Sequence, residues 1–538
     1  MKICLNRFLA VFLLGCILSL RLSGAVLYVS PGGNDETGER GNPERPFRTI
    51  QKAFDLSESG DQVLLSSGEY LVTPEVVPWY DPLPEYMAPI QLVGKSHLTL
   101  EGESGAIIVH KGAGDVFTLK DCTNIVVQGI RFQGDKPSVP TGEREDGKIS
   151  PLLFSTIHFR GDCDRIKITD CVFDKFGNHA ISHLWSPKAT KNVEIYNCTF
   201  TDGGAVNVHN LVIDGAAVSG IGSDWKVHHN VITECQRGLE IECISKTLKK
   251  NILLSENTLT NMYDYGIMLF ANCSEKPSLT YQDITISSNI LQDVHYGILI
   301  TGGDKLRVIS NKVDHSEEVG IGIMSSFDEL SNLEVFGNRV SNCNQRGIQV
   351  VEQTYDLSNA HIHDNYVEVT GNSGILVSGD NIMVEKNECR NCGWTSLYGG
   401  IEVNFGTRIM VCENNLYNRN YSFMKYGIII RERAQGVKLF RNRIVDPVID
   451  LIYDLGEETD YGFLLGFQSS EQGKIPSINK IYSVGLSKYK QKLYISEDMQ
   501  NWTLFQEGES DEWGEVCFEF FCPLHRQIFF RAEQYSSN

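Results

Sequence analysis

One pattern recurs along residues 165–445 and limits what this chain can become: apolar, any, apolar, two residues, asparagine, any, apolar. It reads IKITDCVF, VEIYNCTF, ILLSENTL, ITISSNIL, LRVISNKV, LEVFGNRV and VKLFRNRI at seven of its sites. The central positions are Cys171, Cys198, Asn230, Asn257, Asn289, Asn311, Asn338, Asn365, Asn387, Asn414 and Asn442, spaced 22 to 32 residues apart. Gly102 and Gly129 extend the series upstream. About nine residues after most of these positions comes a second element, Gly-apolar-any-apolar: GLEIE at 238, GIMLF at 266, GILIT at 297, GIGIM at 320, GIQVV at 347, GILVS at 374, GIEVN at 400 and GIIIR at 427. Alternation with period two is the signature of a strand with one buried face. Each repeat is therefore a coil of short strands and turns that cannot bury its apolar face alone but can do so by stacking. An asparagine at the same turn of every coil bonds through its amide to its neighbours and satisfies backbone groups that the bend leaves unpaired. The repeat has no LxxLxL register, which excludes a leucine-rich solenoid, and a sandwich would not keep so regular a spacing.

Lys plus Arg is 48 and Asp plus Glu is 68, a formal net charge of −20, opposite to the basic balance of a nucleic-acid binder. The long apolar run lies at the N-terminus, so no membrane span is expected in the body of the chain. Lys2 and Arg7 precede that run, and Ser23-Gly24-Ala25 supplies the small residues of a signal-peptidase site, predicting cleavage after Ala25 and export to the periplasm, cell surface or medium. Cys16 sits in a lipobox-like LLGC, so lipid anchoring is the minor alternative. The other cysteines are scattered. They read as buried small side chains, with Cys171 and Cys198 stacked as free thiols in place of two ladder asparagines, and the state of Cys122 and Cys163 open.

The repeat resembles the right-handed parallel β-helix of the pectin-lyase-like superfamily, asparagine ladder included, over residues 26–455. The resemblance implies about 11–13 coils, and a helix in PFRTIQKAFDLS that caps the open end of the barrel. Residues 456–475 read as a linker and 476–538, where the repeat ends, as a small antiparallel β accessory module.

The resemblance also implies a substrate groove on the outside of the sheet built from the GIxI strands and the loops before it. Within GLEIE, Leu239 and Ile241 face inward, so Glu240 and Glu242 face out. The same outward row in neighbouring coils holds Ser182, Ala217, Met268, Leu299, Gly322, Gln349, Leu376, Glu402 and Ile429, so the carboxylates stand out. The residue before each glycine makes a parallel row of Asp214, Arg237, Tyr265 and Tyr296, which His179, before Ala180, extends. Asp214 ends an enlarged loop, and Trp185, Tyr263 and Tyr265 are aromatic platforms suited to the apolar faces of sugars. Asp214, Glu240 and Glu242 together suit paired-carboxylate glycoside hydrolysis, with Arg237 beside them and His179, Trp185, Tyr263, Tyr265 and Tyr296 binding substrate. A solvated face in which Arg237 merely neutralises Glu240 is the competing reading. Glu402 with Asn404 is a weaker copy. No dedicated metal site or cofactor is expected, although Asp214, Glu240 and Glu242 have the oxygen chemistry for one Ca²⁺. No phosphate loop, dinucleotide fingerprint or HExxH occurs.

These residues favour a monomeric, exported glycoside hydrolase acting on a polysaccharide. The rivals are a polysaccharide lyase, with Arg237 as base or clamp against a uronate, and a non-catalytic polysaccharide-binding surface protein.

Overall fold

A computed structural model describes residues 24–74, 88–112, 114–135, 141–143, 149–151, 155–183, 190–204, 215–242, 248–270, 281–418 and 423–469, and five strands between 478 and 535. Two compact units divide the chain: Met1–Ile181 with Lys188–Thr199 and Ala205–Ile213, and Asp214–Asn538 with Ser182–Pro187 and Phe200–Gly204. The signal-peptide and lipobox residues, Trp185 and Asp214 lie outside the described residues.

The first unit opens on Val26–Val29, which pairs parallel with Gln62–Leu65, and that strand in turn with Ser96–Gly102, Thr123–Gln128, Asp164–Thr169 and Lys191–Tyr196. The register runs Val63, Leu100, Val127, Ile168, Ile195, all buried, so one apolar column continues through successive coils. Between the first two strands the helix Ile50–Leu56 forms where the capping helix is expected. Thr49 caps it by accepting from the Lys52 backbone N–H at 3.2 Å, and Asp35 in turn accepts from the Thr49 hydroxyl at 2.8 Å. Its buried face is Ile50, Ala53 and Phe54, and Phe54 stacks on Phe117 with ring centroids 5.7 Å apart. Cys171 and Cys198 are both buried thiols, and burial and the neighbouring Cys171 push the Cys198 thiol well above its usual pKa. Cys122 and Cys163 are buried thiols too.

In the second unit the asparagine ladder is continuous. The backbone N–H and Nδ2 of Asn257 donate to Oδ1 of Asn289 at 3.0 Å each, and Nδ2 also donates to the Val227 carbonyl at 2.9 Å. Asn289, Asn311, Asn338, Asn365, Asn387 and Asn414 repeat the arrangement along the column as far as Asn442. Each ladder residue follows a residue in the left-handed region, and in most coils two further left-handed bends flank it: Asp283, Ser288 and Asp293 in one coil, Lys305, Ser310 and His315 in the next, and Asn332, Gly337 and Asn342 after that. Gly129, read above as an upstream ladder position, occupies the bend instead (φ 69°), and the ladder slot one residue later holds buried Ile130. An apolar side chain fills a place that the amide takes further along.

Within the stretch read as a linker, Asp460–Ser469 is a strand. It pairs parallel with Lys438–Val445 on one side and antiparallel with Ile478–Val484 on the other, and Ile478–Val484 continues antiparallel to Glu515–Phe521. Lys490–Ser496 pairs antiparallel with both Thr503–Glu509 and Phe529–Tyr535.

Candidate functional site

The GIxI strands of the second unit stack in parallel register. Ala216–Ser219 pairs with Arg237–Glu242, and that strand with Thr258–Phe270; Ile290–Ile300, Ile321–Met324, Ile348–Val351, Ile375–Glu385, Gly399–Thr407 and Tyr426–Gln435 follow. The outward row runs from Glu240 through Met268, Leu299, Gly322, Gln349 and Leu376 to Glu402 and Ile429, as the repeat predicts. One member differs. Val218 is level with Leu239, so Ser219, not Ala217, is Glu240's neighbour. A shift of two residues keeps the face and changes the chemistry, because the side chain it delivers has a hydroxyl.

Glu240 is only 2% exposed, against the solvated face of the competing reading. Its carboxylate is held on both oxygens. Ser219 Oγ donates to Oε2 at 2.6 Å and Arg237 Nη1 donates to Oε1 at 2.9 Å. Arg237 has a second carboxylate, since its Nε donates to Asp264 Oδ2 at 2.9 Å. The residue that shares Arg237 with Glu240 is thus Asp264, one coil on. Glu242 lies at the far end of the strand, level with Phe270 and half-buried, and its backbone carbonyl accepts from Lys249 Nζ. Asp264 escaped the sequence reading because the pairing shifts register between Met262 and Tyr265, so strict alternation does not give its direction. The signal available was its place directly before Tyr265.

Tyr265 and Tyr296 are level and stack with centroids 5.1 Å apart at 26°, and the Arg237 guanidinium lies 5.6 Å from the Tyr265 ring centre. Burial, then Asp264 and Tyr296, raise the Tyr265 hydroxyl pKa against the pull of Arg237. Burial, then Glu318 and Asp264, raise that of Tyr296. At neutral pH both are protonated donors and not bases. His295 meets Tyr296 edge-on at 4.9 Å, and its Nδ1 lies 2.9 Å from Glu317 Oε2. Arg237, Glu240, Tyr265 and Tyr296 therefore come together. Tyr263 is 64% exposed, and His179 is buried and belongs to the first unit. Among the described residues no group of three or more His, Cys, Asp or Glu stands ready to hold a metal ion.

At the other end of the row Glu402 is also bonded by a serine and an arginine, the arginine coming from the next coil. Ser373 Oγ donates to its Oε2 at 2.5 Å, and Arg431 Nε donates to its Oε1 at 2.7 Å.

Among the described residues no helix is long and apolar enough to cross a membrane. No curated protein matches the sequence. Among solved structures, the chain is similar to the tailspike protein of E. coli bacteriophage HK620, solved with a pentasaccharide, at 13% identity and a TM-score of 0.50 over 91% of each chain. It is also similar to a mannuronic acid specific polysaccharide family 6 lyase from human gut microbiota (11% identity, TM-score 0.45, 77% of this chain and 87% of that one). A third likeness is to the A-module of an Azotobacter vinelandii mannuronan C-5 epimerase (12%, 0.34, 76% and 93%). The family model of the right handed beta helix region matches residues 155–280 and 275–444, more than half of the sequence. With the parallel register and the continuous asparagine column, that match places the chain in the right-handed parallel β-helix family.

Proposed function

We propose that this chain is an exported, polysaccharide-active enzyme, a glycoside hydrolase whose working carboxylates are Glu240 and Asp264. The observation that carries the reading is the single guanidinium of Arg237 spanning both. One guanidinium between two carboxylates sets them on the order of 5–8 Å apart, which overlaps the separations of retaining and inverting glycosidases. Asp264, with 22% of its side chain exposed, is the group that reaches a glycosidic oxygen. It gives that oxygen its proton as the bond to the anomeric carbon breaks, water adds to that carbon, and the proton lost by the water returns to Asp264. Glu240, anchored by Ser219 and Arg237, stays charged and stabilises the positive anomeric centre. Tyr265 and Tyr296 offer a ring surface for a sugar face.

The test is incubation of the chain with a panel of neutral and uronic polysaccharides. New reducing ends without the ultraviolet absorbance of an unsaturated uronide support hydrolysis, and both signals together indicate a lyase. Asp264→Asn and Glu240→Gln should each lower kcat by about 10²-fold or more while leaving the thermal midpoint within a few degrees. The burial of Glu240 favours one rival, a polysaccharide-binding protein in which the Arg237–Glu240 pair is structural. Binding retained with no product from any polysaccharide would establish that rival.

A further inference from the structure

The strand Ile348–Val351 and its two preceding residues, RGIQVV at 346–351, copy RGLEIE at 237–242. The copies are in register, since Gln349 stands in the row of Glu240, four coils along. The hydrogen bond is copied as well. Arg346 Nη1 donates to Gln349 Oε1 at 3.1 Å, as Arg237 Nη1 donates to Glu240. The charge is not copied. Arg237 faces two carboxylates, whereas Arg346 faces an amide and makes no ion pair among the described residues. Its Nε is buried with no hydrogen-bond partner, while the residue as a whole remains partly exposed.

We infer that Arg346 is a subsite for an anionic group, so that the glycan this face accepts is acidic and carries carboxylate or sulfate. The inference rests on the reading of this face as the glycan face. A half-buried guanidinium without a counter-ion is costly in an isolated protein and is favourable once an anion supplies its missing acceptors. The rest of the chain makes the position unusual, because a protein of net charge −20 repels a polyanion unless an unneutralised cation lies where the polymer runs. Arg237 cannot serve, since two carboxylates already engage it. Four coil steps put Arg346 about 19 Å along the row from Glu240. Met268, Leu299 and Gly322 form the uncharged row between. An extended chain of several sugars spans that length, so the anion recognised at Arg346 belongs to a sugar remote from the bond cleaved at Glu240 and Asp264.

The experiment measures binding of polygalacturonate, carboxyl-reduced polygalacturonate, dextran sulfate and dextran to the full chain, with product assayed in the same samples. Expected is binding of at least one acidic polymer over its neutral counterpart, weakening as salt rises. Adding Arg346→Gln should lower that affinity by about tenfold or more. Polygalacturonate bound and dextran sulfate not would assign carboxylate, and the converse sulfate. The sharper variant is Gln349→Glu, which rebuilds the neutralised pair that already folds at 237–242. It should abolish the preference for acidic polymers with Arg346 in place. Arg307→Gln, on another face beside Glu334, is the control for general charge loss. Equal binding of acidic and neutral polymers, or acidic binding indifferent to both Arg346→Gln and Gln349→Glu, overturns the inference. Hydrolysis of neutral glycans with no role for Arg346 would leave the hydrolase standing and remove this subsite. Binding dependent on Arg346 with no product would do the reverse.

Discussion

Asp115 is buried in the first unit, yet three donors converge on it. His158 Nδ1 lies 2.8 Å from Oδ2, Arg160 Nη2 donates to the same oxygen at 3.0 Å, and the Ser155 backbone N–H donates to Oδ1 at 2.9 Å. Burial alone would raise its pKa. His158, Arg160 and the Ser155 amide outweigh burial and hold the carboxyl below the usual range. A carboxyl depressed in the folded state stabilises the fold above its unfolded pKa of about 4, and that stability is lost as pH falls through the folded value. Asp115→Asn should therefore cost on the order of 3 kcal/mol at pH 7 in denaturant unfolding, and the gap to the parent should narrow when the titration is repeated near pH 3. A gap unchanged with pH would show that packing, not charge, is lost. None of this was legible in the sequence. Asp115 and His158 are 43 residues apart, and IHFR reads as an ordinary strand with a polar face. Arg237 and Glu240 were legible because they share one strand and differ by three residues. Asp264 was not, because a bulge turned it.

A coil of this helix bends three times, and each bend puts one residue in the left-handed region. Asparagine, aspartate and glycine tolerate that conformation, whereas a β-branched side chain is strained there. Val369 occupies such a bend at φ 53°, while the corresponding bends of the two adjacent coils hold Asn342 and Asn391. Val369→Asn should raise stability by about 1 kcal/mol, read as a higher denaturant midpoint with unchanged slope. A lower midpoint would mean that the valine side chain packs better than its backbone is strained. The ladder argues the opposite way. Asn338 gives its amide to the Val308 carbonyl and to Asn365, and accepts from the Asn311 backbone and side chain. Asn338→Ala leaves buried partners on both sides unmet, so a loss on the order of 3 kcal/mol is expected in the same measurement. The ladder was readable because one residue type recurs at one place. The bends were not, because lysine, serine, histidine and valine all fill them, and what fixes the conformation is the closure of the coil and not the residue in it.

On the scale of the whole molecule, each unit has a place where its parallel pairing ends. A strand with one side unpaired is a template for another chain. At the N-terminal side the helix Ile50–Leu56 buries its apolar face beside the first strands. At the C-terminal side Asp460–Ser469 continues the parallel stack and then takes an antiparallel partner, Ile478–Val484, so the direction of pairing reverses where the repeat ends. The change of pattern near 476 was visible in the sequence, but this pairing was not, since antiparallel partners leave no periodic mark across a turn. If residues 476–538 are an independent module, a chain ending at Lys474 should be monomeric and melt as the full chain does. The pairing argues otherwise. Without Ile478–Val484 one edge of Asp460–Ser469 is bare, and nothing intrinsic to the coils replaces those hydrogen bonds. The truncated chain should keep its coils, and so its far-ultraviolet spectrum, yet self-associate in light scattering at micromolar concentration. Ending it at Leu455 instead removes the edge strand but bares Lys438–Val445, so association should persist. A monodisperse Lys474 chain with an unchanged melting midpoint would show that the tail is an appended module and not the end of the stack.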